Sequence, residues 1–155
     1  MHKLAAVSAL VESSNRPDAM RFEPLVHLHI VSPTDGAPYS AAVRNCAHAH
    51  GCDIATAQVI CASSFGLYQI MAYHLFSDWC PWSKSIFDFV ANPDAQTNMY
   101  LELLKHMGLP QTFPEVFASD ATLQNFALHY NGPGDPAAYA RALRDAAKTL
   151  HYLDN

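Results

Sequence analysis

The tightest constraint on this chain is how often its apolar rhythm is broken. Ten prolines and six glycines repeatedly interrupt stretches in which apolar residues recur every three or four positions, the period of a helix with one buried face. Leu4, Val7, Leu10 and Val11 define a first helix over residues 3–14. Asn15-Arg16-Pro17-Asp18 stops it, because the residue before a proline disfavours helical backbone. Residues 23–31 form a short element, a helix or, by the alternation in His27-Leu28-His29-Ile30-Val31, a strand. Ser32 to Pro38 is rich in turn formers, and the stretch up to Gly51 shows no clear period. Asp53 is placed to cap a helix over residues 54–62. Gly66 breaks the pattern, and residues 67–76 then read as a helix ended before Pro81. Residues 83–90 and 94–107 read as two more, the second stopped at Gly108. Leu123, Phe126, Ala127 and Tyr130 share one side of a helix over residues 120–130, which Asn131-Gly132-Pro133-Gly134 terminates. Pro136 opens a last helix with the stripe Tyr139, Leu143, Ala147 and Leu150. The expected fold is all-α, seven to nine short helices with room for a small β-hairpin.

The chain of 155 residues is the size of one domain, expected to run over residues 1–155. Half of it is apolar and 15% is charged, which excludes a disordered chain. The formal net charge is −5 and the nine basic residues are scattered, so there is no electrostatic footprint for nucleic acid. No apolar run approaches the ~20 residues of a membrane span, so no membrane insertion is expected. Leu4 to Val11 faintly resembles a signal sequence, but it is short, ends at Glu12 and has no distinct cleavage site. It reads as a helix of the mature domain. Cys46, His48, His50 and Cys52 place four soft ligands in seven residues, which in principle could bind zinc or close a Cys46–Cys52 disulfide. Their spacing fits no familiar zinc pattern. The plainer reading is reduced thiols and loop histidines, with no metal and no cofactor.

Taken by itself, Glu12 near the end of a helix is more often an ordinary solvated carboxylate. On the helical wheel it lies at the edge of the stripe of Leu4, Val7 and Val11, near the negative end of the helix dipole. Partial burial and the dipole both favour the protonated carboxyl. Downstream, Ser63-Ser64-Phe65-Gly66-Leu67-Tyr68-Gln69-Ile70-Met71 joins a backbone-exposing glycine to an amide and aromatic rings. Further on, Tyr130-Asn131-Gly132 forms a turn. Taken in this order, Glu12-Ser13, the Gly66-to-Met71 run and Tyr130-Asn131-Gly132 resemble the lysozyme-like superfamily of peptidoglycan glycosidases. Within it they are most similar to the N-acetylmuramidases of phage endolysins and bacterial wall enzymes. The likeness covers residues from about 4 to about 139. One departure is that Ile60 stands where a simple count would place the upstream serine of the transglycosylase pattern.

The resemblance implies a glycan strand of peptidoglycan as partner, and β-1,4 cleavage after N-acetylmuramic acid with Glu12 as general acid. It also implies an enzyme made in the cytoplasm that acts at the wall, taken here to be a monomer. Glu23, in Arg21-Phe22-Glu23-Pro24, is the candidate second carboxylate. It could orient a water or stabilise the sugar cation, unless it pairs with Arg16 or Arg21. Asp18 and Asp35 are weaker candidates. The resemblance places Ser13, Gly66, Tyr68, Gln69, Met71, Tyr130 and Asn131 on the substrate side. Tyr68 and Phe65 would lie against sugar rings. The Tyr130 hydroxyl would orient the acid, and Asn131 would cap its helix or meet an N-acetyl group. Trp79 and Trp82 are either a stacking platform or core. Hydrolysis and 1,6-anhydro ring formation both remain open, as does a binding domain without activity.

Overall fold

The computed structural model describes residues 2–80, 82 and 85–154. Among them are ten α-helices, one 3-10 turn and three short strands. The helices are α1 (Lys3–Ser13), α2 (Pro24–Val31), α3 (Ser40–His50), α4 (Ile54–Cys61), α5 (Ala72–Leu75), α6 (Ile86–Val90), α7 (Pro93–His106), α8 (Phe113–Val116), α9 (Asp120–Asn131) and α10 (Pro136–Thr149). The strands are β1 (Met20–Phe22), β2 (Ser63–Phe65) and β3 (Ile70–Met71). The fold is mainly helical with a small sheet, as expected. The excess over nine helices comes from one-turn pieces such as α5 and α8.

α1 is packed into the core. Leu4 and Val7 are fully buried, and the helix lies against α7, α8 and α10. Ser14 and Asn15 close it in the left-handed region, where the amides of both residues bond back to the carbonyls of Leu10 and Ala9. α9 and α10 pack as an antiparallel pair beside it. Leu75, Phe89, Leu104, Leu123, Phe126 and Leu143 complete one continuous core.

One expectation changes at the sheet. Residues 67–76 are not one helix. Gly66 has φ +80° and Gln69 has φ +47°, so the backbone reverses there, and β2 and β3 pair antiparallel with Phe65 opposite Ile70. Only Ala72–Leu75 is helical beyond them. β1 extends the sheet, Met20 facing Phe65 and Phe22 facing Ser63. Residues 24–31, in contrast, take the helical alternative. Pro24 sits at the first helical position, where a missing N–H costs nothing. The expected helix start at Ser83 and the break at Pro81 lie outside the described residues.

Asp53 caps α4 as anticipated, accepting from the Thr56 amide at 2.8 Å. The unread stretch before Gly51 is α3, so Cys46, His48 and His50 lie on a helix rather than a loop. All four cysteines are free thiols, Cys46 and Cys61 are buried, and Cys46 and Cys52 are not joined in a disulfide. No group of three potential metal ligands occurs among the described residues. No helix among them is long and apolar enough to cross a membrane.

Candidate active site

The sheet and the ends of α1 and α9 surround a groove of about 380 Å³. Glu12 enters it from the last turn of α1. The Tyr139 hydroxyl, from the first turns of α10, donates to Glu12 Oε1. Behind this pair stands a wall of rings. Tyr68 stacks on Tyr100 at 4.4 Å, and Tyr130 lies edge-on to Tyr100 and parallel to Phe126. Tyr100 is itself held by Ser8 of α1 at 2.7 Å. These rings take water away from Glu12 on its inner side. Burial therefore raises its pKa above the ordinary carboxylate value, and the Tyr139 hydrogen bond and the charge of Arg21 only partly offset this. Burial, reinforced by the nearby Glu12 charge, pushes the Tyr130 and Tyr139 hydroxyls well above 10, so both stay protonated and able to donate.

Seven of the nine anticipated residues line the groove: Glu12, Glu23, Tyr68, Gln69, Met71, Tyr130 and Asn131. Ser13 and Gly66 do not. Ser13 turns inward, donating to the Ala9 carbonyl at 3.1 Å and accepting from the Arg16 amide. It finishes α1 rather than meeting a ligand. Gly66 approaches Gln96 instead of the groove. The Gln96 side chain is fully buried and accepts from the Leu67 amide at 2.7 Å. Its amide nitrogen reaches the carbonyls of Pro17, Phe89 and Val90, each at 3.1 Å.

Several expected roles are reassigned. The Tyr130 hydroxyl donates to the Tyr68 carbonyl at 2.9 Å, and it is Tyr139, not Tyr130, that hydrogen-bonds the Glu12 carboxyl. Tyr68 is 3% exposed, because its ring is packed on Tyr100 and cannot also cover a sugar. Phe65 is buried as well. Gln69 is committed to the turn, donating to Gly66 and Ala19 carbonyls and accepting from Ser64. Asn131 is the last residue of α9 and lies at the groove rim. Glu23 accepts from Arg21 Nε, the pairing weighed as the alternative to a free carboxylate. Arg16 pairs instead with Asp18 at 3.6 Å. Asp35 is held by Ser32 and by His29, away from the groove lining. Trp79 stacks on His106 at 4.1 Å and Trp82 meets Phe89 edge-on. Both belong to packing, and neither lines the groove.

An endolysin of Enterobacteria phage PRD1 is 33% identical to this chain over 123 residues, 79% of the chain and 80% of that protein. The chain belongs to the endolysin family. No protein-family model and no solved structure matches it. In this endolysin-family chain the groove also holds residues that the sequence motifs did not single out, among them Tyr73, His74, Leu103, Met107 and His129. Tyr139 carried a weak signal: a hydroxyl on an otherwise apolar stripe needs a partner when buried. Gln96, polar and in the middle of an amphipathic helix, carried the same kind of signal.

Proposed function

We propose that this protein cuts the β-1,4 bond after N-acetylmuramic acid in peptidoglycan, with Glu12 as general acid. One observation carries the reading: a single half-buried carboxyl, raised in pKa and aimed by Tyr139, opens onto a groove that also contains Glu23. A glycosidase acid must keep its proton near neutral pH until the leaving oxygen takes it. Glu12 would protonate the bridging oxygen as the C1–O bond breaks and positive charge spreads over C1 and the ring oxygen. Arg21 fixes one oxygen of Glu23, which leaves the other to position a water or to face the sugar cation. Water attack at C1 completes hydrolysis and returns a proton to the enzyme.

A second reading rests on the Arg21–Glu23 pair. If that pairing takes Glu23 out of the chemistry, Glu12 alone remains. Attack by the muramic C6 hydroxyl, which requires no second carboxylate, then gives a 1,6-anhydro product. Mass spectrometry of the muropeptides separates the two, since anhydro products are lighter by one water. Glu12→Gln keeps the shape and removes the ionisable proton. Wall clearing should fall at least ~10²-fold, the usual contribution of a general acid, with the fold retained. Equal clearing by Glu12→Gln and the parent would mean a binding or disruptive role without catalysis.

A further inference from the structure

Two neighbouring side chains of α5 face the groove without a side-chain hydrogen bond among the described residues. Tyr73 and His74 both line it. Among the described residues the Tyr73 hydroxyl and both His74 ring nitrogens make no hydrogen bond to the protein; Tyr73 bonds only through its main-chain carbonyl, to Ser77. Neither side chain is sealed off, because Trp82 Nε1 is the one fully covered side-chain polar atom left unpartnered among the described residues. The two rings are held in place by packing. Tyr39 lies edge-on to Tyr73 at 5.1 Å, His74 contacts Tyr73 at 4.3 Å, and Trp79, stacked on His106, closes the outer side of His74 at 6.0 Å. Buried polar groups normally have a protein or water partner, so these two, reachable from the groove, are left to water or to a ligand. A fixed pair left open toward a groove is prepared for a ligand's polar groups.

We infer that Tyr73 and His74 form a subsite for the 2-acetamido group of an amino sugar. A His74 ring nitrogen accepts from the amide N–H, and the Tyr73 hydroxyl donates to the amide carbonyl. The inference rests on the glycan-cleaving reading above. The ionisation of both groups supports it. Burial, with the charge of nearby His106, lowers His74 to about 4, so at working pH the ring is neutral and keeps an acceptor nitrogen. Burial beside Tyr39 raises Tyr73 to about 12, so its hydroxyl keeps the proton to donate. A protonated histidine would instead favour a carboxylate. This site selects a neutral amide.

The test uses the full chain carrying Glu12→Gln to prevent turnover, and measures calorimetric affinity for tri-N-acetylchitotriose and for its de-N-acetylated trimer. His74→Phe should cut the preference for the acetylated trimer by about tenfold, the worth of one lost hydrogen bond. Tyr73→Phe should do the same. His74→Gln, which keeps a donor and an acceptor, should restore most of it. Comparing preferences between variants cancels the charge difference between the two trimers, and a purely structural role would weaken both trimers alike. Tight binding with an unchanged acetyl preference in His74→Phe and Tyr73→Phe overturns the inference and leaves the glycan reading intact. Failure of the Glu12→Gln chain to bind either trimer removes both. Should His74→Phe not fold, Tyr73→Phe alone decides.

Discussion

Replacing Gly66 by alanine tests whether the groove floor is held as described. Two costs add. The backbone at Gly66 has φ +80°, where a side chain costs about 1 kcal/mol or more. The new Cβ would also stand 2.4 Å from Gln96 Oε1, 2.8 Å from Gln96 Cδ and 3.3 Å from Phe89 Cε1. A flexible glutamine end could move aside, but this one is bonded to Leu67, Pro17, Phe89 and Val90 and is fully buried. Displacing it adds overpacking of about 1–3 kcal/mol and strands buried polar groups at about 1–3 kcal/mol. The expected total is about 3–7 kcal/mol. For a chain of this size that lowers Tm by on the order of 10 °C. Gly51 supplies the control. It has φ +60° with nothing within 4 Å of an added Cβ, so Gly51→Ala should cost only the conformational part, about 1 kcal/mol. Thermal unfolding followed by circular dichroism reads both. Equal Tm losses in the two variants would refute the account of Gln96 as a fixed brace.

Three further outcomes follow from the same packing. Tyr139→Phe removes a hydrogen bond that lowers the Glu12 pKa, so the alkaline limb of the wall-clearing pH profile should move to higher pH; movement to lower pH would contradict the assigned contact. Glu12 and His74 should pull stability in opposite directions with pH. The folded chain holds the Glu12 proton above 4.5, where the unfolded chain has released it, so this contribution to stability declines as pH rises, and Glu12→Gln should melt higher than the parent at pH 7 but not at pH 4. Folded His74 refuses a proton that the unfolded chain takes below 6.5, so its contribution is intact above 6.5 and declines as pH falls to about 4. His74→Phe should flatten that acid-side loss in a series of melts. Finally, Ser8→Ala leaves the fully buried Tyr100 hydroxyl without its 2.7 Å partner. This should cost about 1–3 kcal/mol, measurable by urea unfolding.

The helices were legible where local chemistry decides them. The Leu4–Val7 spacing, the Asp53 cap and Pro136 at the start of α10 each act within one turn. The run after Gly66 was not, because its course depends on Gln69 in a left-handed conformation. That conformation is held by bonds to Ser64, Ala19 and the Gly66 carbonyl. In isolation Leu67 and Ile70 simply look helical. The groove shows the same division. Glu12 stood out because Glu12-Ser13 precedes the Gly66-to-Met71 run and Tyr130-Asn131-Gly132 in that order, while its place at the edge of a buried stripe would by itself suit an ordinary solvated carboxylate. The choice between Tyr130 and Tyr139 depends on how α9 and α10 lie on α1, which no spacing within either helix encodes.

The hydroxyl that completes the acid comes from a residue 127 positions after it in the chain. Tyr100 and Tyr130, which keep water from its inner side, also arrive late. A nascent chain therefore carries Glu12 almost from the first residues made, yet the Tyr139 hydroxyl is missing until α10 has been synthesised and has docked. Until then the burial that raises the Glu12 pKa is incomplete, so the order of synthesis fixes when that environment first exists.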